Sequence, residues 1–173
     1  NIEGLAAAGH DARALPFRGV GERAAELSPE LDNDVFLADT IATLEREELR
    51  DIVLVGHSFG SLIAGLVTDR VPERIAHLVI IDGGIPQDGQ SIFGRIPKEI
   101  VAKRQKLVKQ VAGTDVLPFA PVGSLIIDDP ELAAWTHRQL TPHPLACYTK
   151  PIRLAHPAGN GRPMTYIACT SPR

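Results

Sequence analysis

One stretch, residues 52–81, constrains this 173-residue chain more than any other. Ile52-Val53-Leu54-Val55 is an unbroken, β-branched-rich apolar run. It is too short for a helix and too apolar for a strand with one wet face. It therefore predicts a strand covered on both sides, as in a parallel sheet. The run leads directly into Gly56-His57-Ser58-Phe59-Gly60. Residues 59–71 then read as a helix rich in small residues (Gly60, Ser61, Ala64, Gly65), ended near Pro72. A second buried strand is expected at Leu78-Val79-Ile80-Ile81, with Asp82-Gly83-Gly84 at its carboxyl end. Strand, helix and strand in that compass make a right-handed βαβ unit, which commits the chain to an α/β fold.

The turn between the first strand and the helix carries the chemistry. A serine hydroxyl is a weak nucleophile until it is held exposed beside a base. A G-x-S-x-G turn supplies the exposure, because the serine sits with strained dihedrals at the tip and the flanking glycines avoid Cβ clashes. The spacing alone is a weak signal, and a structural Gly/Ser turn is the plain alternative. Strand before and helix after make the catalytic reading the stronger one, with Ser58 as nucleophile. The same geometry puts the Phe59 N–H at a helix N-terminus, where it can stabilise an oxyanion with help from the helix dipole.

The remaining elements fit around that unit. Leu5 to His10 reads as a helix end stopped by Gly9, and Asp11–Leu15 as a short strand cut by Pro16. Residues 16–31 form a loop. A helix is expected over 32–49, with Asp32 or Asn33 as its cap. Beyond a Gly/Pro-rich connection at 83–96, residues 97–150 read as largely helical, with breaks at Gly113, Pro118, Pro121, Gly123, Pro130, Pro142 and Pro144. After a loop at 151–163, Met164 to Cys169 predicts a third buried strand. The expected division is a core at 1–90 and 151–173 with a helical cap at 91–150.

Composition narrows the function classes. With 18 basic and 21 acidic residues the net charge is −3, so no nucleic-acid partner is expected. The basic stretch Lys98 to Lys109 has Ile100, Val101, Leu107 and Val108 interleaved, and reads as the solvated face of an amphipathic helix. No apolar run approaches the length of a membrane span, and no leader-like segment opens the chain. Cys147 and Cys169 are too few for a disulfide framework. They read as two buried reduced thiols in a cytoplasmic protein. No metal cluster or cofactor loop is visible, since Gly19-x-Gly21 lacks the third glycine and the strand of a dinucleotide fingerprint.

At this point the segment DIVLVGHSFGSLIAGLVTDRVPERIAHLVIIDGGIPQDGQSIF resembles a known group. It is similar to bacterial α/β-hydrolases akin to the plant methylesterase and hydroxynitrile lyase family. DPELAAWTHRQLTPHPLACYTKPIRL and the strand ending in YIACT resemble the cap and return strand of those esterases. The resemblance covers essentially the whole chain. It implies an α/β-hydrolase fold, mostly parallel sheet with helices on both faces and a helical cap. It also implies that the chain is incomplete at both ends, lacking a His-Gly loop before it and a Gly-His segment after it. Ser58 maps onto the family nucleophile and Phe59 onto the oxyanion residue.

The base and the acid are less plainly written. His57 adjoins the nucleophile and should point away from its hydroxyl, which leaves it a substrate-pocket candidate. His143, in Leu140-Thr141-Pro142-His143-Pro144, could line the pocket from the cap, or be an ordinary loop histidine. His10, His77, His137 and His156 carry no distinguishing signal, and none stands where the family places its triad histidine. Asp82, at the carboxyl end of a strand, is the candidate acid, with a turn-capping role as the alternative. Asp88 reads as a solvent-facing turn residue. Phe93, Leu117, Phe119 and Trp135 are apolar cap residues that could enclose a substrate, with Trp135 a pocket candidate.

Three readings follow. The first is a serine hydrolase acting on small carboxylic esters through an acyl-enzyme on Ser58, with no cofactor. The second is hydroxynitrile lyase-like chemistry, for which Lys98, Lys103, Lys106 or Lys150 would supply the cap lysine. The third is a binding module or inactive piece that lacks its base. A small-molecule ester is the expected partner, a membrane partner is not, and a homodimer is the admissible assembly.

Overall fold

The computed structural model describes residues 2–118 and 127–170. Phe119, Pro121, Gly123 and the tail Ser171-Pro172-Arg173 lie outside those residues.

The central βαβ unit forms where the apolar runs predict it. Strand β1 (Ile52–His57) pairs in parallel with β2 (Ile75–Ile81), and β2 pairs in parallel with β6 (Met164–Ile167), in the order β1-β2-β6. Helix α3 (Phe59–Arg70) crosses between the first two strands and is almost wholly buried, from Ser61 to Asp69. Strand β2 begins three residues earlier than its apolar run suggests, because Ile75 is buried and pairs with Ile52. Leu54, Leu78, Ile80, Ile63, Leu66 and Val67 form the middle of the core.

Helix α2 (Asn33–Arg46) covers α3 with Phe36, Leu37 and Leu44. Its cap is Asp32, whose Oδ1 accepts from the N–H groups of Asp34 and Val35. Helix α1 (Ile2–Ala7) ends near Gly9, which has a φ of +89°, as its position predicts.

Five sequence expectations require correction. Strand β1 is not covered on both sides: Leu54 is buried on one face, while Val53 and Val55 on the other are exposed. Asp11–Leu15 forms no strand, since no described strand offers it a ladder partner. The third strand is not buried: all four residues of β6 are exposed, at the outer side of the three-stranded sheet that the described residues form, with no described element covering them. The segment 97–150 is not largely helical. Between α4 (Lys98–Gln105) and α5 (Pro130–Gln139) it builds β3 (Lys109–Val111) and β4 (Thr114–Leu117), and β4 goes on to pair with β5 (His143–Pro144). The β3–β4 turn at Ala112-Gly113, with φ of +48° and +75°, is a hairpin signal that the scattered glycines and prolines concealed. Finally, Cys147 is buried but Cys169 is exposed, so only one thiol matches the expectation of two buried ones.

The second half of segment 97–150 is fastened to the start of α2 and to the loop before it. Asn33 Nδ2 donates to the Cys147 carbonyl at 3.0 Å, just after the start of α6 (Ala146–Thr149). Lys150 pairs with the Asp32 carboxylate, and the Gly21 N–H donates to Thr141 Oγ1 at 2.8 Å. By contrast, α4 and α5 bury no residue. Among the described residues no helix is long and apolar enough to cross a membrane.

Candidate active site

Ser58 occupies the tip between β1 and α3 with φ of 50° and ψ of −119°. A non-glycine residue there is strained, and the cost is sustained only because neighbouring contacts fix it. The Ser58 N–H donates to the Ile81 carbonyl at 3.1 Å, which ties the tip to the end of β2. Its carbonyl accepts the Ser61 N–H, and Ser61 Oγ donates to the Gly56 carbonyl at 2.9 Å. The Ser58 side chain makes no capping hydrogen bond, and the residue is exposed. Phe59 is the first residue of the helix, and its N–H takes no acceptor among the described residues. No acidic side chain lies in the first turn of α3 to offset the positive end of its dipole.

Close packing around the tip depends on glycines, though not on the pair the motif suggests. A Cβ at Gly56 would lie 2.6 Å from the Gly60 carbonyl oxygen and from Ser61 Cα. Gly60, the other flank, has open space around its Cβ position. The second constrained position is Gly83, which sequence reasoning missed. A Cβ there would meet Ser61 Oγ at 2.0 Å and the Ser58 carbonyl oxygen at 2.7 Å. Its only sequence signal is a Gly-Gly turn after a strand.

Asp82 precedes it, exposed, at the carboxyl end of β2 and with a φ of 43°. Its Oδ1 accepts the Cys169 N–H at 3.3 Å, and its own N–H donates to the Ile167 carbonyl at 2.8 Å. Tyr166 adds a hydrogen bond from its hydroxyl to the Gly83 carbonyl at 3.1 Å. The turn that bears Asp82 is thus braced from β6. Its carboxylate also holds the exposed Cys169 thiol above the usual thiol range.

Below the tip is an aromatic cluster. Phe59 contacts Phe17, Phe36, His143 and Tyr148, and Phe93 extends the cluster from Tyr148. The nearest ring to Phe59 is His143, at a centroid separation of 4.3 Å. Burial pulls the His143 imidazole down to about 4, against a smaller opposing pull from the Pro144 backbone, so the ring is neutral at pH 7. Burial likewise pushes the Tyr148 phenol up to about 12.

The other expected residues fall further apart. His57 is exposed at the end of β1. Phe93 and Leu117 are buried, while Trp135 lies on α5, 54% exposed, and shares no ring contact with the cluster. His77 Nε2 pairs with Thr165 Oγ1, and His156 Nδ1 with Asp69 Oδ1 at 3.1 Å. No histidine is hydrogen-bonded to Ser58 or Asp82 among the described residues. Lys150 is committed to Asp32, and Lys98, Lys103 and Lys106 are exposed on or just after α4. Asp88, expected to face solvent, accepts the Leu154 N–H at 3.0 Å. A cleft of about 340 Å³ runs beside α2, lined by Arg13, Arg23, Asp39, Arg46 and Glu47 among others. It includes none of the candidate site residues.

Comparison with known proteins agrees with this architecture. The chain is 30% identical to a carbendazim hydrolyzing esterase from Nocardioides sp. (strain SG-4G), over 94% of this chain and 70% of that protein. Among solved structures, an extracellular alpha/beta-hydrolase from a Paenibacillus species superposes with a TM-score of 0.79 at 22% identity, covering 95% of this chain and 68% of that one. Polyneuridine aldehyde esterase superposes with a TM-score of 0.71 at 17% identity, covering 96% and 72%. An Arabidopsis methylesterase gives 0.68 at 15%, covering 95% and 68%. The structural likenesses are to the fold. A model of the alpha/beta hydrolase family matches residues 1–173. The chain therefore belongs to the alpha/beta hydrolase family and is an enzyme of the hydrolase type.

Proposed function

We propose that this protein is a serine hydrolase of small carboxylic esters, with Ser58 as its nucleophile. The observation that carries the reading is the tip itself, where an exposed hydroxyl on a strained residue stands beside the unpaired Phe59 N–H at the start of α3. In the proposed reaction Ser58 Oγ attacks the ester carbonyl and gives up its proton to a general base. The carbonyl oxygen becomes an oxyanion that accepts from the Phe59 N–H, and the alcohol leaves to give an acyl-enzyme, which water then hydrolyses. Asp82 is the proposed acid of the triad, at the strand end next to the tip. His57, His143 and Trp135 are the proposed pocket residues, of which His143 is in ring contact with Phe59.

A fluorophosphonate probe tests this on the full-length protein. Labelling of Ser58 is expected, together with at least about a thousandfold loss of ester turnover in Ser58→Ala. An unlabelled protein, under conditions that label a control esterase, overturns the reading. Carbendazim, the compound in the Nocardioides relative's name, belongs in the substrate panel.

A second reading is favoured by one observation, that no described histidine reaches Ser58 or Asp82. On it the 173-residue chain alone binds esters and turns them over slowly or not at all. Robust hydrolysis by this chain that disappears in Ser58→Ala refutes it. Hydroxynitrile lyase chemistry gains nothing from Lys150, whose ammonium is engaged by Asp32. The cytoplasm is the proposed location, in keeping with the unpaired thiols of Cys147 and Cys169, and cell fractionation checks it.

A further inference from the structure

The turn packed against the tip is gripped on its far side by a cation that has no carboxylate partner. Arg95 closes a short helical turn, Phe93–Arg95, whose Phe93 is buried in ring contact with Tyr148. Its Nη1 donates to the Ile85 carbonyl at 2.5 Å. The same atom lies 3.5 Å from the position a Cβ would take on Gly84, and no other described atom comes within 4 Å of that point. Gly83, ~3.8 Å earlier along the backbone, is the glycine whose Cβ position falls 2.7 Å from the Ser58 carbonyl oxygen. The two glycines therefore face different surroundings. Gly83 is packed on the tip, whereas Gly84 opens onto solvent and the guanidinium, and both Gly84 and Arg95 are exposed. Among the described residues Arg95 makes no ion pair, so the remaining N–H groups of its fork are free to take a ligand beside the tip.

The surroundings are positive as well. Between Gly89 and Thr114 the one acid is Glu99, against Arg95, Lys98, Lys103, Arg104, Lys106 and Lys109. Among the described residues none of those six cations is paired with a carboxylate, whereas Arg13, Arg18, Arg23, Arg46, Arg70 and Lys150 all are. Asp82, on the same turn as Gly84, engages the Cys169 N–H and forms no ion pair with Arg95. Burial raises the Tyr148 phenol and the Arg104 charge opposes it, so the field of the basic segment reaches the aromatic cluster.

We infer that Arg95 binds a carboxylate on the substrate, so that the site takes half-esters of dicarboxylic acids, with the ester carbonyl at Ser58 and the free acid at the guanidinium. A carboxylate matches the planar fork in charge and in geometry, and a short methylene spacer covers the ~10 Å between Nη1 and the tip. Exposure limits the gain, because an open guanidinium–carboxylate pair is screened, and the preference over an uncharged counterpart is about fivefold. The inference rests on the reading of Ser58 as nucleophile only in naming the ligand an ester. Its test is therefore a binding measurement that needs no turnover.

The ligands are monomethyl adipate and its primary amide, which differ by one charge, titrated by calorimetry into full-length Ser58→Ala protein at low salt. The half-ester should bind about fivefold more tightly, and the preference should shrink in high salt. Adding Arg95→Gln, which removes the charge, should bring the two Kd values together by weakening the half-ester alone. A turn merely loosened by loss of the Ile85 contact would weaken both ligands and keep their ratio. Adding Arg95→Lys, which keeps the charge but not the fork, should retain part of the difference. Adding Lys103→Gln with Lys106→Gln instead should leave the preference in place. Equal Kd values in the Ser58→Ala protein overturn the proposal. So does a preference that survives Arg95→Gln, one that vanishes with the two lysines, or the absence of half-ester binding. Fluorophosphonate labelling of the unmutated serine decides the nucleophile reading separately.

Discussion

A methyl group at Gly83 would lie 2.0 Å from the Ser61 hydroxyl oxygen and 2.7 Å from the Ser58 carbonyl oxygen. Neither neighbour can give way cheaply. Ser61 is fully buried and bonded to Gly56, and Ser58 sits at a strained tip whose carbonyl already accepts the Ser61 N–H. Gly83→Ala should therefore cost about 1–3 kcal/mol of stability through overpacking, and should slow fluorophosphonate labelling more than Gly60→Ala, where the space is open. Urea midpoints and labelling rates of the two variants check this, and equal labelling rates would falsify it. A second residue-scale expectation concerns pH. His143 titrates near 4 in the fold, below its ordinary value of 6.5, because burial disfavours the charged form. Between those values the unfolded chain binds the extra proton, so stability is intact above pH 6.5 and falls as the pH drops towards 4. The loss is on the order of 3 kcal/mol. Tyr148, the titratable group in ring contact, stays protonated throughout because burial raises it. Denaturant titrations at pH 7 and pH 4.5 should differ accordingly, and His143→Phe should remove most of that difference.

Elements, rather than single residues, decide where the chain leaves α6 and rejoins the sheet. Asp69, near the end of α3, is buried, and its carboxylate accepts the N–H groups of Ala155 and His156 at 3.0 Å each. Asn160 Nδ2 donates to the Asp69 carbonyl, and the Leu154 N–H is held by Asp88. This fastens the irregular return segment to the helix that begins at Ser58, and so delivers the chain to β6 in register. Asp69→Asn turns one acceptor into a donor facing an N–H. A loss of about 2–4 kcal/mol is expected, with faster proteolysis around residues 153–162. An unchanged urea midpoint would argue that the loop is held by other means. Nothing in the sequence marked Asp69, because its partners lie 86 and 87 positions away. The legible parts were local. The run Ile52–Val55 forms a strand and the residues after Phe59 a helix, since pattern and propensity agree there, but the expected cover on both faces of that strand is not found, because Val53 and Val55 are exposed. The hairpin of β3 and β4 and the exposure of β6 were illegible for the opposite reason. Their apolar residues follow no distinct period, and burial there depends on which elements pack alongside. At the tip, Gly56 was legible from its motif, but the crowding at Gly83 arises from a distant segment folding back.

At the scale of the whole molecule, the two faces of the sheet differ. Leu54 is buried beneath α3, whereas Val53 and Val55, on the opposite face of β1, are 61% and 51% exposed. Ile2 and Leu5 of α1 are also exposed, as are Met164, Tyr166 and Ile167 on β6. Within the described residues, β1 pairs only with β2, and β6 only with β2, so both outer strands leave their backbone groups free along one edge. Apolar side chains beside unpaired edges favour association between chains, through burial of the valine face and extension of the ladder. Net charge opposes it weakly, because −3 spread over 173 residues gives little repulsion at physiological salt. The 173-residue chain should therefore self-associate as its concentration rises through the micromolar range. Light scattering should report a growing mean mass, and a dye sensitive to apolar surface should bind at the lowest concentrations. Val53→Lys with Val55→Lys places like charges on the exposed face without touching Leu54, and should return the mean mass to that of one chain. The tip at Ser58 provides the control, since Ser58→Ala leaves that face intact and should associate like the parent. A parent chain that remains monomeric at high concentration would show that this face is covered in solution by contacts within the same chain.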